Sequence, residues 1–531
     1  MGSTVPRPLI AVAAVVCLAA SACGGKSGTS AGSASTGSSA IGRTGTPVAG
    51  GTLTFGEQQA PPSLNPGSLD YGLVDFTMPA YEPLFYAAPD GTIEAGLASS
   101  WKYAGTGNTE LDVTIRGGAR FSDGSAVTAQ AVANSLNYAK NAQGDQAHYL
   151  AGATITATGP VALSIKLPAA NPILPLLLSQ EYSIGEIIGP KGLADPASLT
   201  ATNTSDGAGP YIYQPSQSVS GDHYTYTANP DFYDKSQQHF QKVVARVVSN
   251  EQTAVNALET GQIDVYKGDY TSAAAAKSAG LQLVDTPSVL MGLNLIDRAG
   301  TVAKPLGNLL VRQAINYAID RKSITTALFG SYGAATDETA VPGGDGYVAA
   351  DADYYPYDPS KAKQMLAQAG YPNGFTMSVL AASFVGFNTM AEAIAGQLAK
   401  VGITLKITVV SDFPSWTTDQ TNKQFPAVSG GNTEEPMYLE GLDFFMPGSA
   451  LFNGFGSSSA TLTSLFDQAA AANATTRGTL DQQIEDYLVK NAWLAPVTYS
   501  PVMYYARSNI GGLRVSAGTP FAGPLAWYEI S

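Results

Sequence analysis

The sequence predicts an α/β body of roughly 480 residues, from Gly51 onward, on three observations. Strand-like and helix-like segments are mixed throughout and alternate in the middle of the chain, which indicates sheets covered by helices. The 44% hydrophobic content is enough for large cores. The length exceeds the ~250–300 residues at which single cores split, so one body of several lobes is expected.

In chain order, Gly51-Thr52-Leu53-Thr54-Phe55 alternates like a first strand, and Leu111 to Ile115 continues the pattern. Thr128 is placed to cap a helix through Ala131, Val132, Ser135 and Leu136, whose spacing gives one apolar face. Asn250 precedes a helix with Ala254, Val255 and Leu258, stopped at Gly261 before a strand at Ile263-Asp264-Val265. Val311, Ala314, Ile315, Ala318 and Ile319 recur at helical spacing, predicting one buried helix that ends near Gly330. Asp358-Pro359 offers an N-cap and a first-turn proline, with Met365 and Leu366 inward and Gly370 as terminator. Met390 to Val401 repeats the design before a strand at Ile403 to Val409.

The N-terminus reads as an address. Arg7 precedes the apolar run Leu9 to Ala20, whose twelve residues would make ~18 Å of helix, short of a ~30 Å hydrocarbon core. Residues 1–22 are therefore expected to be a signal peptide. Ala20-Ser21-Ala22-Cys23 resembles the lipobox of bacterial lipoproteins, with Ala20 where Leu is usual, and the resemblance implies lipidation at Cys23. Residues 23–50, nearly all Gly, Ser, Ala and Thr after the cysteine, are expected to be a flexible tether with a reach of about 30 Å.

Charge and composition exclude several classes. Twenty-eight Lys+Arg against 42 Asp+Glu give a net charge of −14, or −15 once Arg7 leaves with the signal peptide, which argues against nucleic acid. Cys17 and Cys23 both lie before the body, so it holds no disulfide framework or thiolate metal site. There is no GxxxxGK[ST] loop, HExxH or GxSxG elbow. Pro210 after Gly207-Ala208-Gly209 lacks the N–H that a dinucleotide loop needs, so a turn is expected there. His148, His223 and His239 are widely spaced without an acidic motif and read as surface or structural residues. Asp351, Asp353 and Asp358 lack the glycine and terminal glutamate of a calcium loop. Glu434-Glu435 would suit a glycosidase only in a barrel that the pattern does not support.

A series of short motifs then points one way. Pro62-Ser63-Leu64-Asn65-Pro66, Tyr81-Glu82-Pro83-Leu84, Gly96-Leu97-Ala98 with Trp101, and Phe121 to Ala129 follow one another. Gly207 to Tyr211, Ala257-Leu258 with Gly261 and Ile263-Asp264-Val265, Val311 to Arg321, and Tyr357-Asp358-Pro359 with Ala362 complete the order. Together they resemble extracellular solute-binding protein family 5, the peptide and nickel binding subunits of ATP-binding-cassette importers.

The resemblance implies a two-lobed, periplasmic-binding-protein-like clamp with an extra subdomain and two hinge crossings. Lobe I would comprise 51–80, 205–293 and 497–531, the subdomain 81–204, and lobe II 294–496, with hinges at Asn294 and Pro496. In the family's peptide binders an Asp four residues before a Pro holds the peptide amino terminus, and a Trp three residues ahead of it shapes the cleft. Counting from Pro436, those positions hold Asn432 and Ser429. The ligand-binding candidates are Asp70, Tyr71, Asn388, Asn432, Glu434, Glu435 and Tyr499. No catalytic residue, metal or cofactor is expected. The ligand would be a small polar solute, a peptide first, with an oligosaccharide or cationic solute as alternatives. The partners would be the permease and ATPase subunits and, through Cys23, the lipid bilayer, with the chain a monomer. A secreted hydrolase and a non-binding envelope scaffold are the readings from other classes.

Overall fold

The computed structural model describes residues 40–69, 72–142, 144–201, 203, 205–433, 435–447, 452–516, 519 and 523–531. An 11-stranded sheet is its spine. Its strands are β1 Thr52–Glu57, β2 Tyr211–Tyr213, β3 His223–Ala228, β4 Lys242–Val247, β5 Val265–Gly268, β6 Gln282–Asn294, β7 Ala334–Ala335, β8 Phe375–Ala382, β9 Ile403–Val410, β10 Ala427–Thr433 and β11 Leu494–Ala506. They lie in the order β2-β3-β4-β1-β5-β11-β6-β10-β8-β9, with β7 beside β11.

The long antiparallel pair β6 and β11 belongs to both halves of this sheet. The first half grips its lower part, where β5 pairs Val265 to Gly268 with Ala506 to Met503. The second half grips its upper part, where β10 pairs Val428 to Thr433 with Asn294 to Val289. Between them the β6–β11 ladder is irregular: Pro287 faces Pro501, Ser288 bulges out, and pairing resumes at Val289 with Ser500. Two facing prolines bring no N–H to the ladder, so the pair is weakened where its partners change. A second register shift follows between Met291 and Gly292, where Val497 is skipped and Gly292 faces Pro496, while Asn294 pairs with both Leu494 and Val428.

Each half has its own core. One unites Leu53, Phe55, Tyr211, Tyr224, Val243, Tyr504 and Trp527. The other unites Leu293, Val311, Ile315, Val379, Ile394 and Ile403. A four-stranded antiparallel sheet, Ala98–Tyr103, Glu110–Ile115, Ala162–Lys166 and Thr154–Ala157, carries the helix Ala129–Ala139 and a separate core drawn from Leu84 to Ile187, joined by Ala208 and Leu439. The described residues belong to a single compact unit. Among the described residues no helix is long and apolar enough to cross a membrane.

Two expectations need correction. The helix expected to run to Gly330 is two, Leu309–Tyr317 and Arg321–Phe329, because Asp320 accepts from the Ser323 N–H (3.0 Å) and starts a new N-terminus. Residues 40–48, expected to belong to the tether, are fastened to the body. Ala40–Ile41 pairs with Arg514–Val515 and Pro47–Val48 with Glu529–Ile530, while the Arg43 N–H donates to Gln282 (2.7 Å). Composition hid this because Gly45 is required there: a Cβ would lie 2.0 Å from Ile530. The caps at Thr128, Asn250 and Asp358 stand as expected, each side chain accepting from a first-turn N–H.

The sequence motifs fold into buckles. Gly209 N–H donates to the Ala80 carbonyl (3.0 Å) and Ser122 N–H to that of Gly207 (2.9 Å), so three motifs meet at one junction. Cβ atoms at Gly207 or Gly209 would strike Ala80 backbone atoms at 2.1 and 2.5 Å. In the 311–321 motif, Arg312 donates to the carbonyls of Ala492, Leu306 and Asn491, and Asn316 to that of Leu494. Arg321 donates to Pro496 and pairs with Asp337 at 2.6 Å. These side chains bolt a helix pair onto β11; they do not face a ligand.

Candidate functional site between the two halves

Strand direction places the site. In the first half β4, β1 and β5 are parallel and run toward the crossing; in the second, β8, β9 and β10 are parallel and run toward it from the other side. Ligands of open α/β sheets bind outside the carboxyl ends of the parallel strands. Here two such sets of ends oppose each other across Pro287, Ser288 and Pro501.

The first wall carries charge. Glu57 ends β1, Lys267 lies near the end of β5, and Asp75 stands in the turn Val74–Phe76. The Lys267 ammonium donates to the Gly72 carbonyl (2.7 Å) and to Asp75 (3.2 Å), with Glu57 at 3.9 Å. Glu57 is 4% exposed and Asp75 fully buried. Burial pushes the Glu57 carboxyl well above its ordinary value against the pull of Lys267. Burial also works against the Lys267 ammonium, but the two carboxylates outweigh it and raise its pKa. Lys267 thus sits between the two carboxyl groups and closes a buried cluster of three charged side chains at this wall.

The second wall is apolar behind and polar in front. Ser429 is 0% exposed and donates its hydroxyl to the Phe387 carbonyl (2.8 Å), so it lines no cavity. The face of the strand opposite Ser429 is closed by a buried aromatic group that belongs to the core of this half. Trp416, on the helix Phe413–Thr421, stacks on Phe387 at 6.1 Å and lies over Gly430, where a Cβ would be 3.1 Å from its ring.

The sequence candidates divide. Asn388 is half-buried in the first turn of the helix Phe387–Ala399, directly after β8. Asn432 is on β10 opposite Leu290, and Glu435 is half-buried just beyond that strand. These three gather at the carboxyl ends of the second half. Tyr499 does not join them: it is 1% exposed, and its hydroxyl donates to the carbonyls of Glu338 (2.9 Å) and Ala340 (2.7 Å) inside a core. Asp70, Tyr71, Glu434 and Cys23 lie outside the described residues. Glu57, Asp75 and Lys267 escaped the sequence reading, although a charged residue closing an alternating strand was a usable signal at Glu57. Of the histidines, His148 meets Asp443 (3.3 Å), His223 meets Asp222 (2.7 Å), and His239 packs against Tyr528. Among the described residues no cluster of three or more His, Cys, Asp or Glu is arranged for a metal ion.

Two sheet halves joined by a crossing pair, with opposed strand ends, define a two-lobed binding-protein fold. The fold matches the agropinic acid complex of AgaA from A. tumefaciens R10 (TM-score 0.73, 24% identity, 91% of this chain and 99% of that one). It matches DppA of Helicobacter pylori in complex with the peptide STSA equally (TM-score 0.73, 20% identity, 91% and 99%). Residues 92–446 match the model for bacterial extracellular solute-binding proteins, family 5, and the chain belongs to that family. The glutathione-binding protein GsiB of Salmonella paratyphi A is 26% identical over 334 residues, 62% of this chain and 64% of GsiB, so the match spans just under two thirds of that relative. Membership places the chain among extracytoplasmic binding proteins.

Proposed function

We propose that the chain is the solute-capturing subunit of an ATP-binding-cassette importer, closing on a small polar ligand and presenting it to the permease and ATPase subunits. The observation that carries this reading is the opposition of two sets of strand ends across a weakened crossing. A ligand that touches both walls stabilises closure to the extent that it contacts the closed form better. We place the hinges at Pro287–Ser288 and Pro501, and the ligand contacts at Asp70, Tyr71, Asn388, Asn432, Glu434 and Glu435, extended by Glu57 and Lys267.

A peptide or another ligand with a cationic group suits this site. Relatives named for glutathione and solved with a peptide support the class, and the charged cluster of Glu57, Asp75 and Lys267 at the strand ends supports a polar ligand. Asn432 brings no charge to a free ammonium, so simple di- and tripeptides should bind weakly. A thermal-shift panel of peptides, sugars and polyamines decides the matter, since ligand at 100 times its dissociation constant adds ~2.7 kcal/mol. Stabilisation by a cationic ligand, lost in Glu57→Gln, is expected. Stabilisation by neutral oligosaccharides alone would replace the reading, and no stabilisation by any class would remove it.

The anchor is part of the proposal. Cys23→Ala should abolish lipid labelling and release the protein from membranes, because a chain without acyl groups buries no apolar surface in the bilayer. Unchanged membrane retention would refute it.

A further inference from the structure

A line of contacts away from the crossing joins the four-stranded subdomain to the second lobe. Met437 and Leu439 are two residues apart, yet they belong to different cores. Met437 packs with Phe444, Phe466 and Ile484 of the second lobe, while Leu439, 0% exposed, is buried among the subdomain's side chains. Around Leu439 run polar contacts. The Tyr438 hydroxyl donates to the Ala170 carbonyl (2.8 Å), and the Tyr149 hydroxyl and His148 ring meet Asp443 (both 3.3 Å).

The end of this line is the most specific. Asn108 sits at the tip between the strands Ala98–Tyr103 and Glu110–Ile115, with φ of 50°. Asparagine tolerates that left-handed conformation better than most residues. Its amide donates to the carbonyls of Ala470 (2.8 Å) and Ala472 (3.0 Å), closing the C-terminus of the helix Ala460–Ala471 from across the molecule. The acceptor side is held from behind, since the Asn171 N–H donates to the Asn108 carbonyl (3.0 Å) and Tyr103 donates to that of Asn171 (2.6 Å).

The geometry points to a clasp: Asn108 on the helix end, with Leu439 seated in the subdomain core, holds the lobes closed independently of ligand. Rotation about Pro287–Ser288 and Pro501 must withdraw Leu439 and break both Asn108 bonds. The clasp therefore sets the fraction of molecules able to grip a ligand, and with it the apparent affinity for every ligand alike. This rests on the clamp reading above, but its test needs no ligand.

The test compares Cys23→Ser protein with the same protein carrying Asn108→Gly or Asn108→Asp. Both changes keep a residue suited to positive φ and remove the two donors, so the hairpin is preserved. A larger radius of gyration in solution scattering is expected for both. Amide exchange should rise about tenfold at 437–446, with exchange at 291–296 unchanged. Parent-like scattering in both variants would overturn the clasp, whether or not exchange changes, and so would acceleration at 291–296, which would mark general destabilisation. An unresponsive ligand panel would remove the clamp reading and leave this comparison standing.

Discussion

At the scale of residues, buried carboxylic acids set how stability should depend on pH. Burial and the neighbouring Glu485 push Glu338 up to about 9, and burial pushes Glu485 up to about 7. Both are fully buried, with Val348 N–H donating to Glu338 (3.1 Å) and Thr339 N–H to Glu485 (2.7 Å). A carboxyl raised above its unfolded value takes up a proton on folding. Its contribution is complete below the ordinary value of 4.5 and is lost as pH rises through the folded one. The melting temperature should therefore fall between pH 6 and 9, and Glu338→Gln should flatten that fall; an unaltered slope would contradict the assignment. At the first wall of the site, Lys267→Met strands two buried carboxyl groups and should cost about 3 kcal/mol in urea unfolding. Adding Glu57→Gln should recover part of that loss, whereas strictly additive losses would mean the three groups do not act as a unit.

At the scale of elements, the sequence disclosed what local chemistry decides. Thr128, Asn250 and Asp358 cap their helices because a short side-chain acceptor before an apolar face has one good use. The break at Asp320 was hidden because Ala318 and Ile319 continue the apolar spacing across it. The crossing was hidden more deeply, since a strand's change of partners leaves no mark on the strand itself. Only the register shows that Pro287 faces Pro501 and that a second shift lies between Met291 and Gly292, where Gly292 faces Pro496. The same register predicts where the long pair opens. Amides at Val289 and Val502 should exchange faster than those at Val284 and Leu293, which are gripped by a full lobe on either side. Uniform protection along β6 and β11 would argue for a rigid spine in place of a hinge.

At the scale of the whole molecule, the family motifs made the architecture legible, and the ligand contacts stayed obscure for the same physical reason. The motifs are buckles: Arg312, Asn316 and Arg321 bind carbonyls of the segment leading into β11, and Gly207 and Gly209 admit the Ala80 backbone. Such residues specify a fold and leave the cleft open to variation, as Ser429 shows by turning its hydroxyl to the Phe387 carbonyl at a position where an aromatic residue was expected. The chain ends illustrate the complementary case, where composition concealed structure. Ala40 to Val48 read as tether, yet two strand pairings and the Arg43 bond fasten this segment to the C-terminal strands. A chain beginning at Ala40 keeps all of these contacts, so it should melt with the mature protein. One beginning at Gly50 loses them and frees the edges at Arg514–Val515 and Glu529–Ile530. At ~1 kcal/mol for each net hydrogen bond, a loss of roughly 2–3 kcal/mol is expected. Calorimetry on the two truncations reads it directly. Equal midpoints would show that the segment is carried by the body and does not brace it, and the point from which any membrane anchor pulls would then move from Ala40 to Gly51.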